Sequence, residues 1–311
     1  MTMYTNTTRV NGNLVFLDDD AHDGNLEKWV DAIGRGVVKD IQHFVKYVAV
    51  EWTSSAAGSS TVDRLDGQGG LLRIDADDGD DEGLQLQRKA KCFKLTTDDP
   101  LYFGCRWKVD DRHQSDIIVG LCVLDTSLIV GMTDGVYFRK ADGDTDCALV
   151  TEKDSTETST SSAVTMTDDT YIVTEFYWNG AASASVTSIT RSDTTATVTQ
   201  AAHGYTTGFS VTIAGANQAD YNGAYTVTVV DVDSYTYTVA GSPATPATGT
   251  ITATASLVRG YINGVLKATH STNIPDDEDL ALSMAYLQGE AEADEGMTID
   301  WISCIQCLKV E

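Results

Sequence analysis

Alternation of apolar and polar positions dominates this chain. Over Leu101–Val109, Phe103, Cys105, Trp107 and Val109 share one phase, while Tyr102, Gly104, Arg106 and Lys108 share the other. A period of two sends one set toward a core and the other toward solvent, as in an antiparallel sheet with one side packed. Further strands are expected at Phe44–Trp52, Leu71–Asp75, Leu84–Arg88, Cys92–Leu95, Asp116–Val123, Gly135–Arg139, Ala148–Lys153, Leu280–Leu287 and Met297–Leu308. The Gly/Ser-rich stretch Ser54–Gly70 and the polar run 154–162 read as loops. Only one stretch has helical spacing: Leu26, Trp29, Val30 and Ile33, with Asn25 placed to cap it and Gly34 and Gly36 to end it. The polar residues 1–20, with a short strand at Leu14–Leu17, lead into it as an arm.

Tyr171–Trp178 and Leu257–Ile262 read as two halves of one hairpin, and Asn263-Gly264 then turns the chain into Val265–Thr269. Between them the composition changes. From about Val186 to about Ala255 there is no Lys, Glu, Cys, Met or Trp, and Thr, Val, Ala and Tyr dominate. Short strands are expected there at Ser188–Arg191, Thr195–Thr199, Phe209–Ile213, Ala224–Val230, Ser234–Val239 and Thr250–Thr254. This is the pattern of a small β-sandwich or barrel inserted in a loop. The expected organisation is an arm and short helix over 1–40, a sandwich over 41–185 and 256–311, and the insert over 186–255. The host has too many strands for one open sheet, so two stacked sheets in a jelly roll are expected.

Charge narrows the partners. The chain has 46 acidic and 21 basic residues, a formal net charge of −25. Nucleic-acid binding needs basic surface, so no direct nucleic-acid partner is expected. No apolar run reaches the roughly 18–20 residues of a membrane span, and the N-terminus has neither the basic nor the apolar region of a signal peptide. The six cysteines are scattered, which points to free thiols and synthesis in a reducing cytoplasm.

Three stretches of the host, Phe176–Gly180 (FYWNG), Val258–His270 (VRGYINGVLKATH) and Thr298–Leu308 (TIDWISCIQCL), resemble the concanavalin A-like lectin/glucanase superfamily in its laminin-G-like form. Asp116–Asp144 resembles versions of that fold in bacteriophage virion proteins, and Ile189–Thr228 resembles a small β-domain that recurs in phage structural proteins. The resemblance implies an all-β, concanavalin A-like jelly-roll sandwich with an inserted small β-domain and one short N-terminal helix. It also implies a non-enzymatic virion protein. Within that group a capsid decoration (cement) protein is favoured, bound to the major capsid protein on the outer capsid surface. Its copies are expected to associate, as a trimer for preference. The alternatives are a glycan-binding adhesin of a tail or head fibre and a glycan-active hydrolase.

Candidate chemistry is sparse, and no catalytic residue or resident cofactor is expected. The loop Asp75–Glu82 offers Asp75, Asp77, Asp78 and Asp80, with Asp81 and Glu82, either as oxygen ligands for calcium or as a solvated turn. Trp178, Asn179 and Tyr261 are candidate glycan contacts, or else Trp178 and Tyr261 pair across the hairpin. Cys304 and Cys307 are three apart on an expected strand, which puts them on opposite faces and favours buried thiols over zinc. A retaining glycosidase needs two carboxylates about 5 Å apart, yet Glu175 has no acidic residue two positions away. Asp231 and Asp233 read as a turn, and the five histidines are dispersed.

Overall fold

The computed structural model describes residues 6–11, 13–17, 29–291 and 295–309. The chain forms two compact units, one of residues up to 180 together with 258–311, the other of residues 181–257.

The first unit begins with β1 (Asn6–Val10), β2 (Asn13–Leu17) and β3 (Trp29–Ile33), a three-stranded antiparallel sheet. There follow β4 (Val37–Gln42), β5 (Trp52–Ala57), β6 (Thr61–Leu65), β7 (Leu71–Asp75), β8 (Gly83–Arg88), β9 (Leu101–Val109) and β10 (Ser115–Cys122). A four-residue helix, α1 (Leu128–Gly131), precedes β11 (Gly135–Lys140), β12 (Asp146–Lys153), β13 (Thr156–Thr165) and β14 (Ile172–Trp178).

The second unit supplies β15 (Ala184–Ser185), β16 (Ser188–Ser192), β17 (Thr195–Thr199), β18 (Ser210–Ala216), β19 (Gly223–Thr226), β20 (Thr228–Asp231), β21 (Ser234–Thr238) and β22 (Gly249–Thr254). The first unit resumes with β23 (Val258–Ile262), β24 (Val265–His270), β25 (Ala281–Gln288) and β26 (Gly296–Cys307).

The host is the expected antiparallel jelly-roll sandwich. One sheet runs β13-β12-β11-β10-β25-β8-β5. The other runs β24-β23-β14-β9-β26-β7-β6, with β4 also paired to β26. Between them lie Phe103, Trp107, Phe176, Val119, Phe138, Leu149 and Met284, all buried. The Phe103 and Phe176 rings stack at 4.8 Å. Gly260 is required where the sheets meet, because a Cβ there would lie 2.8 Å from the Leu149 side chain. His270 of β24 ties the sheets together, its Nδ1 3.0 Å from the Thr151 hydroxyl on β12 and its Nε2 3.0 Å from that of Thr160 on β13.

Each sheet also has part of its outer face covered by the chain itself. On the seven-stranded sheet, Leu128 and Met132 pack over Ile118, Cys122, Tyr137 and Val150. Gln85 and Gln87 hold that loop in place. The Gln85 amide donates to Asp125 O (2.6 Å) and its carbonyl accepts from Leu128 N (2.8 Å), while Gln87 donates to Val123 O (2.8 Å). On the eight-stranded sheet, Val10, Val15 and Ala32 of the N-terminal sheet pack against Tyr102, Tyr261, Ile305 and Cys307.

Several local expectations are corrected, among them the strand at Cys92–Leu95, where only an isolated bridge from Phe93 to Leu280 forms. Trp29–Ile33 is not helical: it is β3, paired with β2 so that Val15 lies opposite Ala32. Pairing with β2 outweighs a helical spacing that lacks a further turn. Gly34 serves that pairing, since a side chain there would overlap Asn13. Leu26 and Asn25 lie outside the described residues. Phe44–Glu51 is a loop ending in a 3₁₀ turn over Ala49–Glu51, and the strand starts at Trp52. The Ser54–Gly70 stretch holds most of β5 and all of β6, and the polar run 154–162 lies largely in β13. β5 and β13 are edge strands rich in Ser, Thr and Ala, whose side chains need no core and so carry no apolar signal.

The insert is a small sandwich of two four-stranded sheets, β15-β22-β18-β19 and β16-β17-β21-β20. They share one core of Ile189, Val198, Val211, Ile213, Val227, Tyr221, Tyr235, Tyr237 and Ala253. The single strand expected at Ala224–Val230 is two, β19 and β20, in different sheets. The chain crosses between them at Val227, which is buried and exchanges backbone hydrogen bonds with Gly208 and Phe209 instead.

Candidate functional site

The outer face of the eight-stranded sheet gathers the polar and aromatic side chains with most chemical potential. Register lays them out in rows. Ser303, Gly104, Glu175 and Tyr261 face one another across β26, β9, β14 and β23. The row on one side holds Trp301, Arg106 and Val173, and that on the other holds Ile305, Tyr102, Tyr177 and Arg259.

Glu175 is fully buried on this face, and the Tyr102 hydroxyl donates to its Oε1 at 2.7 Å. Gly104 makes this arrangement possible. A Cβ there would sit 2.5 Å from that hydroxyl and 3.1 Å from the Trp301 ring. The N-terminal sheet covers the Tyr102 and Tyr261 end, whereas Trp301, Arg106 and Tyr171 stay half-exposed. The Arg106 guanidinium lies 3.9 Å from the centre of the Tyr171 ring and is paired with Asp300. Lys108 extends the row, 5.8 Å from the same ring and 2.6 Å from Asp169. Burial and the nearby Asp300 carboxylate push the Tyr171 phenol up, and the two cations pull it down less. The Tyr171 ring and the two cations hold one another by cation–π attraction.

The structure does not bring the three candidate glycan contacts together. Trp178 points into the sandwich interior, 2% exposed, and its indole donates to Thr96 O at 3.1 Å. Tyr261 is fully buried on the opposite face of the sheet, and Asn179 follows the end of β14. Nor do the two aromatics pair, because Trp178 stands opposite Val258 and Tyr261 opposite Glu175. Arg106, Tyr171 and Trp301 were not singled out from sequence. Arg106 read as an ordinary member of a polar phase. Trp301 follows a bulge between Ile299 and Trp301 that shifts the alternation of β26.

The acidic loop is tied into its own turn. Asp75 pairs with Arg73, whose other arm reaches Asp110 at 2.6 Å. Asp77 accepts from Ser59 N at 2.8 Å, and such backbone hydrogen bonds hold its carboxyl below the usual range. Glu82 accepts from Gly79 N at 3.1 Å, while Asp78 and Asp80 are exposed. Among the described residues, no three His, Cys, Asp or Glu side chains are placed to hold a metal ion.

Cys304 and Cys307 are buried free thiols, and burial pushes the Cys307 thiol up to about 11. Asp231 accepts from Asp233 N at 2.9 Å in the β20–β21 turn. Glu175 has Gly104 and Tyr261, not a second acid, directly beside it on the neighbouring strands. Among the described residues, no helix is long and apolar enough to cross a membrane.

No family model and no curated protein matches this chain. Solved structures do resemble it. Peanut lectin has 9% identity and a TM-score of 0.43 over 88% of this chain and 99% of its own. The CBM2 module of the evolved Dit of Lactobacillus casei BL23 phage J-1 has 6% identity and a TM-score of 0.41 over 90% and 99%. A glycoside hydrolase family 16 endo-glucanase from Bacteroides ovatus has 9% identity and a TM-score of 0.47 over 85% and 98%. At this level no ligand or activity passes from any of them to this chain.

Proposed function

We propose that this is a non-enzymatic structural protein of a tailed-phage virion, a decoration protein on the outer surface of the capsid. In this reading the jelly roll docks on the major capsid protein lattice and carries the insert as an accessory module. The observation that carries it is the way the insert is joined. Trp178 and Val258, which flank it, are directly paired neighbours in one sheet. The host sandwich is therefore complete without the insert, as expected of a scaffold carrying an added domain. The phage-like stretches Asp116–Asp144 and Ile189–Thr228 support the same reading. Cryo-imaging of particles tests it: many symmetric copies on the outer head support decoration, and a place confined to the tail or fibres overturns it.

A glycan-binding adhesin is the second reading, favoured by the half-exposed Arg106, Tyr171 and Trp301. It requires a glycan-array signal that Trp301→Ala weakens by about tenfold, the loss expected for one stacking aromatic worth about 1.4 kcal/mol.

A further inference from the structure

We infer that β13 is a self-association edge, pairing antiparallel with β13 of a second copy. The surface lies beyond the virion reading and is testable on purified protein alone.

β13 is ten residues long, Thr156–Thr165, and closes one side of the seven-stranded sheet. An edge strand presents backbone N–H and C=O groups outward along its free side, a template for another strand. Among the described residues, no backbone–backbone hydrogen bond outside the β12 ladder reaches Thr156–Thr165, and only Ala163 and Val164, past its middle, donate backbone N–H groups to side chains. The other edges of the two large sheets are blunted in familiar ways. β4 carries Lys39 and Asp40, β6 is five residues long with Asp63 and Arg64, and β24 has Lys267 and a bulge. The remaining edge, β5, is six residues long. β13 has no Lys, Arg or Pro, and its one charged side chain, Glu157, is held by both arms of Arg139 at 2.7 and 3.0 Å.

That neutral strip is what makes a second copy the occupant. A chain of net charge −25 repels its copies over most of its surface, so association needs a strip where like charges do not meet. A two-fold axis through Ser159, normal to the sheet, keeps the inner and outer faces of both sheets aligned. It sets Thr158 opposite Thr160, Glu157 opposite Ser161, and Ser159 opposite itself, a self-complementary contact with no like-charge pair. The strand is already fixed for this. Thr158 is bonded to Thr272 (2.7 Å) and Asn273 (3.0 Å), and Thr160 to His270 (3.0 Å), so little ordering remains. Ala163, at φ 51°, ends the regular stretch.

Sedimentation of the full chain across a concentration series tests the edge. The expected result is a dimer, with Ser159→Lys weakening association at least tenfold while the melting temperature stays unchanged. Ser159→Cys, in a background with Cys92→Ser to remove the exposed native thiol, should form a covalent dimer under mild oxidation. A monomer at every concentration overturns the inference. So does a dimer or trimer indifferent to Ser159→Lys that Ser159→Cys does not cross-link, because its contact then lies elsewhere or β13 receives a strand of another protein.

Discussion

In the insert, Tyr221, Tyr235 and Tyr237 bury their rings in the core, and each hydroxyl reaches a nearby partner: Ala244 O (3.3 Å), Gln200 Oε1 (2.9 Å) and Tyr221 O (3.1 Å). In the host, the interior is filled by Trp107, Trp178, Phe103 and Phe176, with indole N–H groups donating to Thr174 and Thr96. The insert strands mostly alternate buried with wet, whereas β9, β10 and β25 are buried on nearly every residue. A small sandwich closes with one buried face per sheet. A large one gains area by covering its outer faces as well, using α1 and the N-terminal sheet.

The largest expected difference between the two is at the host interior. Trp107→Ala removes a fully buried ring and leaves Thr174 without its indole donor, which should cost about 3–5 kcal/mol. In a denaturant titration followed by segment-resolved hydrogen exchange, the host amides should lose protection while those of residues 186–255 keep theirs. Equal loss in both would mean that the units fold as one.

Next in size is an acid effect carried by His270. Burial between the sheets holds its imidazole at about 4, below the ordinary 6.5. Between those values the unfolded chain takes up a proton that the folded host refuses, so stability must fall as pH falls. The sandwich has its full contribution above pH 6.5 and loses roughly 3 kcal/mol by about pH 4. The thermal midpoint of the host should drop less over this interval in His270→Gln than in the native protein.

These contrasts also explain what was legible in the chain. The all-β sandwich could be read because Phe103, Cys105 and Trp107 alternate so regularly, and insert strands such as Thr195–Thr199 could be read because one face is wet. The pattern failed where side chains report no burial. β13 is Ser and Thr throughout its middle, and β3 depends on its pairing with β2. The outer-face cluster was hidden for a different reason. Glu175, Tyr102 and Gly104 are brought together by register, and the covering that buries Tyr261 comes from residues about 250 positions earlier. Only the three-dimensional pairing reveals that Trp178 faces the interior.

A smaller effect is expected in the insert. Tyr235→Phe keeps the ring and removes the hydroxyl donating to Gln200, at a cost of about 1 kcal/mol. The loss should appear as reduced amide protection in residues 186–255 only. A matching fall in the host would erase the distinction between the two cores.

The smallest effect should come from the most drastic edit. Among the described residues, the insert core draws on positions between Val186 and Leu257, and the hairpin that flanks it is already paired at Trp178 and Val258. Replacing residues 181–257 with a short Gly/Ser turn leaves every strand of the host in register. The host melting temperature should therefore stay within a few degrees of the full chain, and His270 should keep its acid-sensitive slope. A host that unfolds on excision would mean that the insert is a structural part of the hairpin and not a module carried by it.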